Sequence, residues 1–269
     1  MPTFRTSDCE LYYEDEGSGR PVIFIHGLWL TSRFFTRQRE HFAQAHRFIA
    51  PDLRGHGRSE KVLHGHTVPV QTRDLHELIE GLELEDVVLV GWSSGAFCIW
   101  EYVKQYGDAH LAGVVIVDES AADLNRDDWT LGAMDVDGLI RMVEMAQTAL
   151  AAMVRGRFVN AMFATPLAPD DFEWMVEEIL QIPPVVAAAA AFDELTRDYR
   201  DTLADVRVPA LVCHGARDRM VSPTNGPYLV EAMPDARLVV FDESGHAPFW
   251  DEADRFNAEL ERFIAGLPG

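Results

Sequence analysis

Basic side chains are scarce in this chain of 269 residues: 23 Lys and Arg stand against 44 Asp and Glu, a formal charge of −21. Such a surface repels phosphate backbones and anionic headgroups, which argues against nucleic acid and acidic membranes as partners. Lysine is the scarcest base, represented only by Lys61 and Lys104. Cysteine is rare as well. Cys9, Cys98 and Cys213 lie far apart, form no C-x-x-C pair and are odd in number, so neither a disulfide framework nor a thiolate metal site is expected. No apolar run is long. The most apolar stretch, 183–192, is too short to span a bilayer, and residues 1–10 contain Arg5 but no apolar h-region. A soluble, cytoplasmic protein with reduced cysteines is the expectation, and composition leaves its oligomeric state open.

With 48% hydrophobic and 10% aromatic residues, the chain can bury one sizeable core with an added subdomain. Segments 3–6 and 10–14, closed by Gly17-Ser18-Gly19, read as an antiparallel hairpin. Continuous apolar runs at 22–25, 47–50, 87–90, 113–117 and 210–213, with 237–241 as a last strand, suit strands covered on both faces. Helical periodicity at 72–82, 97–106 and 226–232 alternates with them, and a final helix is expected at 252–265. This pattern predicts an α/β fold, a mostly parallel sheet with helices on both faces. The alternation stops between Glu119 and about Leu203. There 136–154, 157–163, 170–180 and 185–199 read as four helices punctuated by Pro166, Pro169, Pro183 and Pro184. The expected domains are therefore a core, 1–118 with 204–269, and a helical insertion, 119–203.

Gly91-Trp92-Ser93-Ser94-Gly95 follows one predicted strand and opens a helix. A strand-to-helix turn of this composition exposes the Ser93 hydroxyl on a strained backbone beside a helix N-terminus, the placement of a nucleophile. A serine needs a base held by an acid. Gly245-His246 supplies the base, between the last predicted strand and the last helix, and Asp218, in the loop after strand 210–213, supplies the acid. Asp118, which also leaves a strand on that side, is the rival acid; Glu119 and Asp242 are weaker ones. The backbone amides of Leu28, in His26-Gly27-Leu28-Trp29, and of Ser94 are placed as oxyanion donors. His26 is read as shaping that loop. His64-Gly65-His66 lacks a carboxylate or thiolate at metal-site spacing, so no metal is expected. Arg54-Gly55-His56-Gly57-Arg58-Ser59 lacks both G-x-G-x-x-G order and a Walker lysine and is read as a tight turn.

Together His26-Gly27, Pro51-Asp52-Leu53-Arg54-Gly55-His56-Gly57-Arg58-Ser59, the 91–95 motif, Asp218 and Gly245-His246 resemble the α/β-hydrolase family along nearly the whole chain, most closely small bacterial serine esterases and cofactor-free haloperoxidase-like hydrolases. The resemblance implies an eight-stranded sheet with a helical cap, Ser93, Asp218 and His246 as triad, and Leu28 and Ser94 as oxyanion hole. Related dehalogenases and epoxide hydrolases carry Asp where Ser93 stands, which disfavours those activities; the loop Gly27-Leu28-Trp29-Leu30 lacks the glycines of C–C hydrolases. The expected chemistry is two-step acyl transfer on a neutral, hydrophobic carboxylic ester or lactone, with no cofactor. Perhydrolysis on the same triad, C–C bond hydrolysis and a ligand-binding signalling role are the alternatives. Trp29, Trp129, Met142, Phe158, Met162, Met220, Val221 and Phe249 are the candidate pocket residues.

Overall fold

The computed structural model describes residues 2–268. Its strands are β1 (Thr3–Arg5), β2 (Glu10–Gly17), β3 (Pro21–Ile25), β4 (Arg47–Pro51), β5 (Val87–Trp92), β6 (Leu111–Val117), β7 (Ala210–Gly215) and β8 (Ala236–Phe241). They form one sheet in the order β1-β2-β4-β3-β5-β6-β7-β8. β1 and β2 pair antiparallel with each other, β2 pairs antiparallel with β4, and the other pairings are parallel. The apolar runs explain the centre of the sheet: all residues of β5 and β6 are buried, as strands covered on both faces require.

Helices α1 (Thr36–Phe42), α2 (Val68–Gly81) and α3 (Gly95–Tyr106) separate the first strands. Between β6 and β7 come α4 (Val136–Thr148), α5 (Leu150–Met153), α6 (Val159–Met162), α7 (Pro169–Ile179) and α8 (Pro184–Thr196); α9 (Asn225–Ala232), α10 (Pro248–Asp251) and α11 (Ala253–Ala265) follow. Two differences from the sequence reading are informative. The single helix expected over 136–154 breaks at Ala149, whose φ of −146° and ψ of 29° leave the helical region, and a π-helical turn, Val154–Phe158, replaces the following α turn. The apolar spacing continues through the break, so periodicity alone conceals it. The 3-10 turn Ser32–Phe35 and α1 were not expected at all; they bring Phe35 and Phe42 against Phe24, with ring centroids 5.2 and 5.7 Å apart.

The glycine-rich segment after β4 is a tight turn. Asp52 accepts the Ser32 and Arg58 amides at 2.7 and 2.8 Å, and Gly57, at φ +42°, sits so close to that carboxylate that a Cβ would collide with it. Arg54 is wholly buried and forks onto Asp74 at 2.6 and 2.7 Å, which ties the turn to α2. His26 accepts the Leu53 amide at 3.0 Å and thereby joins the ends of β3 and β4. Among the described residues no single helix is long and apolar enough to cross a membrane.

Candidate active site

Strand β5 delivers Ser93 to the carboxyl edge of the sheet, and the backbone there turns left-handed, with φ of 54°. For a residue with a side chain this conformation is costly and marks a place where the surroundings over-determine the backbone. The flanking glycines are what permit it. A Cβ at Gly91 would lie 2.6 Å from the Gly95 carbonyl, and one at Gly95 would collide with the Ile25 carbonyl. The Ser93 amide donates to Val117 at 2.8 Å, which fixes the turn to β6. Helix α3 begins at Gly95, so the positive end of its dipole lies beside the serine.

His246 lies in the loop after β8. Its backbone carbonyl accepts Trp92 Nε1 at 2.7 Å, and Asp251 takes the amide of the preceding Gly245 at 2.8 Å. The ring is held from the other side, where Nδ1 donates to Asp218 Oδ2 at 2.8 Å. The remaining Asp218 oxygen accepts the Met220 and Val221 amides at 2.7 and 3.2 Å. These donors and the His246 charge outweigh burial and hold the Asp218 carboxyl below its ordinary pKa. Burial disfavours the His246 cation, but Asp218, with Asp118 and Asp123 farther off, holds its pKa above the usual 6.5. Nε2 of His246 is buried without a hydrogen-bond partner, and His246 and Ser93 line the same cavity.

Asp118 stands close by, with ligand atoms of Asp118, Asp218 and His246 all within 4.8 Å of one another. Its work is different. Oδ1 accepts the Gly215 amide at 2.8 Å and lies 3.2 Å from His214 Nδ1, so this carboxyl ties β6 to β7. The Leu28 and Ser94 residues line the same cavity as Ser93. Gly27 approaches so closely that a Cβ there would lie 2.9 Å from the Ser93 Cβ. Among the described residues neither the Leu28 nor the Ser94 amide has a hydrogen-bond acceptor.

The cavity measures about 340 Å³. Met142, Phe158, Met162, Met220 and Val221 line it. Three other expected pocket residues do not. Trp29 donates its indole N–H to the Ala187 carbonyl at 2.9 Å, and Trp129 donates to Ala122 at 2.6 Å, so each ring is drawn into the protein by its polar handle. Phe249 packs edge-on against Trp92, with centroids 4.6 Å apart, and belongs to the core. The lining also holds acids absent from the candidate pocket residues of the sequence, because Glu119, Asp123 and Glu194 form part of it. Glu119 entered the sequence reading only as a minor rival acid, and the other two escaped it.

Residues 20–253 match the family model of the alpha/beta hydrolase fold. The chain is 31% identical to the non-heme chloroperoxidase CPO-A1 of Kitasatospora aureofaciens, covering 98% of this chain and 99% of that protein. Among solved structures it is similar to an esterase from Exiguobacterium antarcticum, 26% identical, and to a bromoperoxidase from Bacillus anthracis, 27% identical; each match has a TM-score of 0.92 and covers 96% of both chains. The sheet order, the strained serine turn and these likenesses agree: the chain belongs to the α/β-hydrolase fold family.

Proposed function

We propose that the protein is a serine hydrolase that cleaves a carboxylic ester or lactone by two-step acyl transfer. The observation that carries this reading is the strained turn that presents Ser93 to a cavity shared with the unpartnered Nε2 of His246. In the mechanism His246 takes the Ser93 proton as the hydroxyl attacks the carbonyl. Asp218 fixes the imidazole with its proton on Nδ1 and stabilises the cation that forms. The amides of Leu28 and Ser94 receive the oxyanion, and His246 returns its proton to the leaving alcohol. Water, activated by the same histidine, then releases the acid. The helices between β6 and β7 serve as a cap that closes the cavity, so residues 119–203 act as the substrate-facing part of the molecule.

A panel of p-nitrophenyl esters of rising acyl length, with several lactones, tests the reading. Turnover of at least one series, abolished by a fluorophosphonate, is the expected result; no turnover of any member, with the serine unlabelled, would leave a ligand-binding protein instead. Perhydrolysis is a second reading, favoured by the chloroperoxidase and bromoperoxidase names among the similar proteins. It requires only that peroxide replace water in deacylation, and peracid formed from acetate and peroxide would reveal it. C–C bond hydrolysis has no comparable observation in its favour.

The base must be neutral to act, and its folded pKa lies above 6.5 because Asp218 outweighs burial. The rate should therefore fall as pH drops through a midpoint above 6.5, rather than at the usual histidine value. A kcat/KM profile that stays flat down to pH of about 5 would remove His246 from the mechanism.

A further inference from the structure

One wall of the cavity carries charge chemistry that ester cleavage itself does not use. Glu119 and Asp123 follow β6, and Glu194 lies in the last turn of α8; they are 1, 4 and 3% exposed and all line the cavity. Glu119 Oε1 accepts the Ser120 amide at 2.6 Å, Asp123 Oδ1 is buried without a hydrogen-bond partner, and the nearby Asp123 charge disfavours ionisation of Glu119. Glu194 Oε2 has no hydrogen-bond partner, and its other oxygen receives only a long 3.5 Å bond from the Gln71 amide. Ser94 stands near Glu194 and partly steadies its charge. Buried carboxyls in proteins are ordinarily matched by a cation or by several donors.

No such cation is built into this wall. Arg157 and Arg219 border the cavity but are exposed, and the Arg219 guanidinium already donates to the Asn160 and Phe163 carbonyls at 2.6 and 2.7 Å. His246 is engaged with Asp218. The remaining charged neighbours, Asp218 beside Glu119 and Asp193 beside Glu194, are themselves acids. Burial consequently raises all three carboxyls: Asp123 to about 6, Glu194 to about 8, and Glu119 well above the usual value.

We propose that this cavity selects an ester whose acyl or alcohol part carries a protonated amine, with Glu119, Asp123 and Glu194 accepting its N–H groups while Met142, Phe158 and Met162 cover its hydrocarbon. This rests on the ester-hydrolase reading and names its substrate class. The ammonium supplies the missing counter-charge, and the carboxyls that are protonated in the empty cavity ionise as it binds. Binding therefore releases protons to the solvent. A neutral hydroxyl in the same position would release none.

Calorimetric titration of the wild-type protein with hexylammonium and with hexanol tests the proposal without any turnover. The amine should bind at least about tenfold more tightly than the alcohol, the worth of one charge-assisted hydrogen bond. Its binding enthalpy should vary with the ionisation enthalpy of the buffer, because protons leave the carboxyls. Glu194→Gln and Asp123→Asn should each reduce the preference for the amine severalfold and leave hexanol affinity nearly unchanged. If one variant fails to fold, the other carries the test. Equal affinities for amine and alcohol, or a preference that survives in both variants, would overturn the cation site. Fluorophosphonate labelling of Ser93 and turnover of the p-nitrophenyl ester and lactone panel by the same preparation separate the two claims: amine preference with neither labelling nor turnover refutes the hydrolase reading alone, and turnover without amine preference refutes only the substrate class.

Discussion

Replacing Ser93 by Ala is expected to lower kcat/KM by about 10^5-fold while the protein remains folded. The large factor follows from the proposed mechanism, in which no other group can form the acyl-enzyme. The small effect on stability follows from the geometry. The Ser93 hydroxyl has no hydrogen-bond partner among the described residues, so its removal strands no buried group. Alanine tolerates the φ of 54° no better and no worse than serine, which leaves the strain in the turn unchanged. Thermal melting should shift little, corresponding to under about 0.5 kcal/mol. Labelling by a fluorophosphonate should vanish. Labelling that persists in this variant would assign the nucleophile elsewhere.

The second large effect is expected at Asp218. Asparagine is isosteric, but it can turn an N–H toward His246 Nδ1 and so favour the tautomer with its proton on Nε2, which cannot accept from the serine. A loss of roughly 10^3 to 10^4-fold in kcat, with KM little changed, is the expected result. Asp118→Asn provides the contrast. Its carboxyl is anchored to the Gly215 amide and beside His214, so this substitution should act on stability and cost less than about tenfold in rate. Kinetics and melting of the two variants measured side by side decide between the two acids that the sequence offered. A greater rate loss in Asp118→Asn than in Asp218→Asn would exchange their roles.

The parts that were legible in the sequence share a physical cause. Strands β3 to β7 are covered on both faces, and that condition forces continuous apolar runs that stand out against the helical spacing around them. The turn at Ser93 was legible because two glycines are needed where backbones pass within contact distance. The pocket was less legible. An indole in sequence beside a site residue can be pulled away by one carbonyl, as Ala187 does to Trp29 and Ala122 to Trp129. Glu194 sits in an alanine-rich helix, where an acid ordinarily marks the solvated face; only its docking over Gln71 and Ser94 buries it. Glu119 and Asp123 follow a strand in a stretch that resembles any polar loop. What buries them is the chain returning from far away, with Ala121 receiving the Tyr199 amide at 2.9 Å.

The position of the three carboxyls has a consequence for how this molecule can change over time. Ser93, Asp218, His246 and Leu28 all hang from the rigid ends of strands, whereas Glu119, Asp123 and Glu194 belong to the stretch of chain between β6 and β7. The proposed reacting groups and the three carboxyls thus lie in separate lengths of the gene. If the proposed function holds, drift within 119–203 can change which molecules enter, one carboxyl or methionine at a time, without touching Ser93, Asp218 or His246.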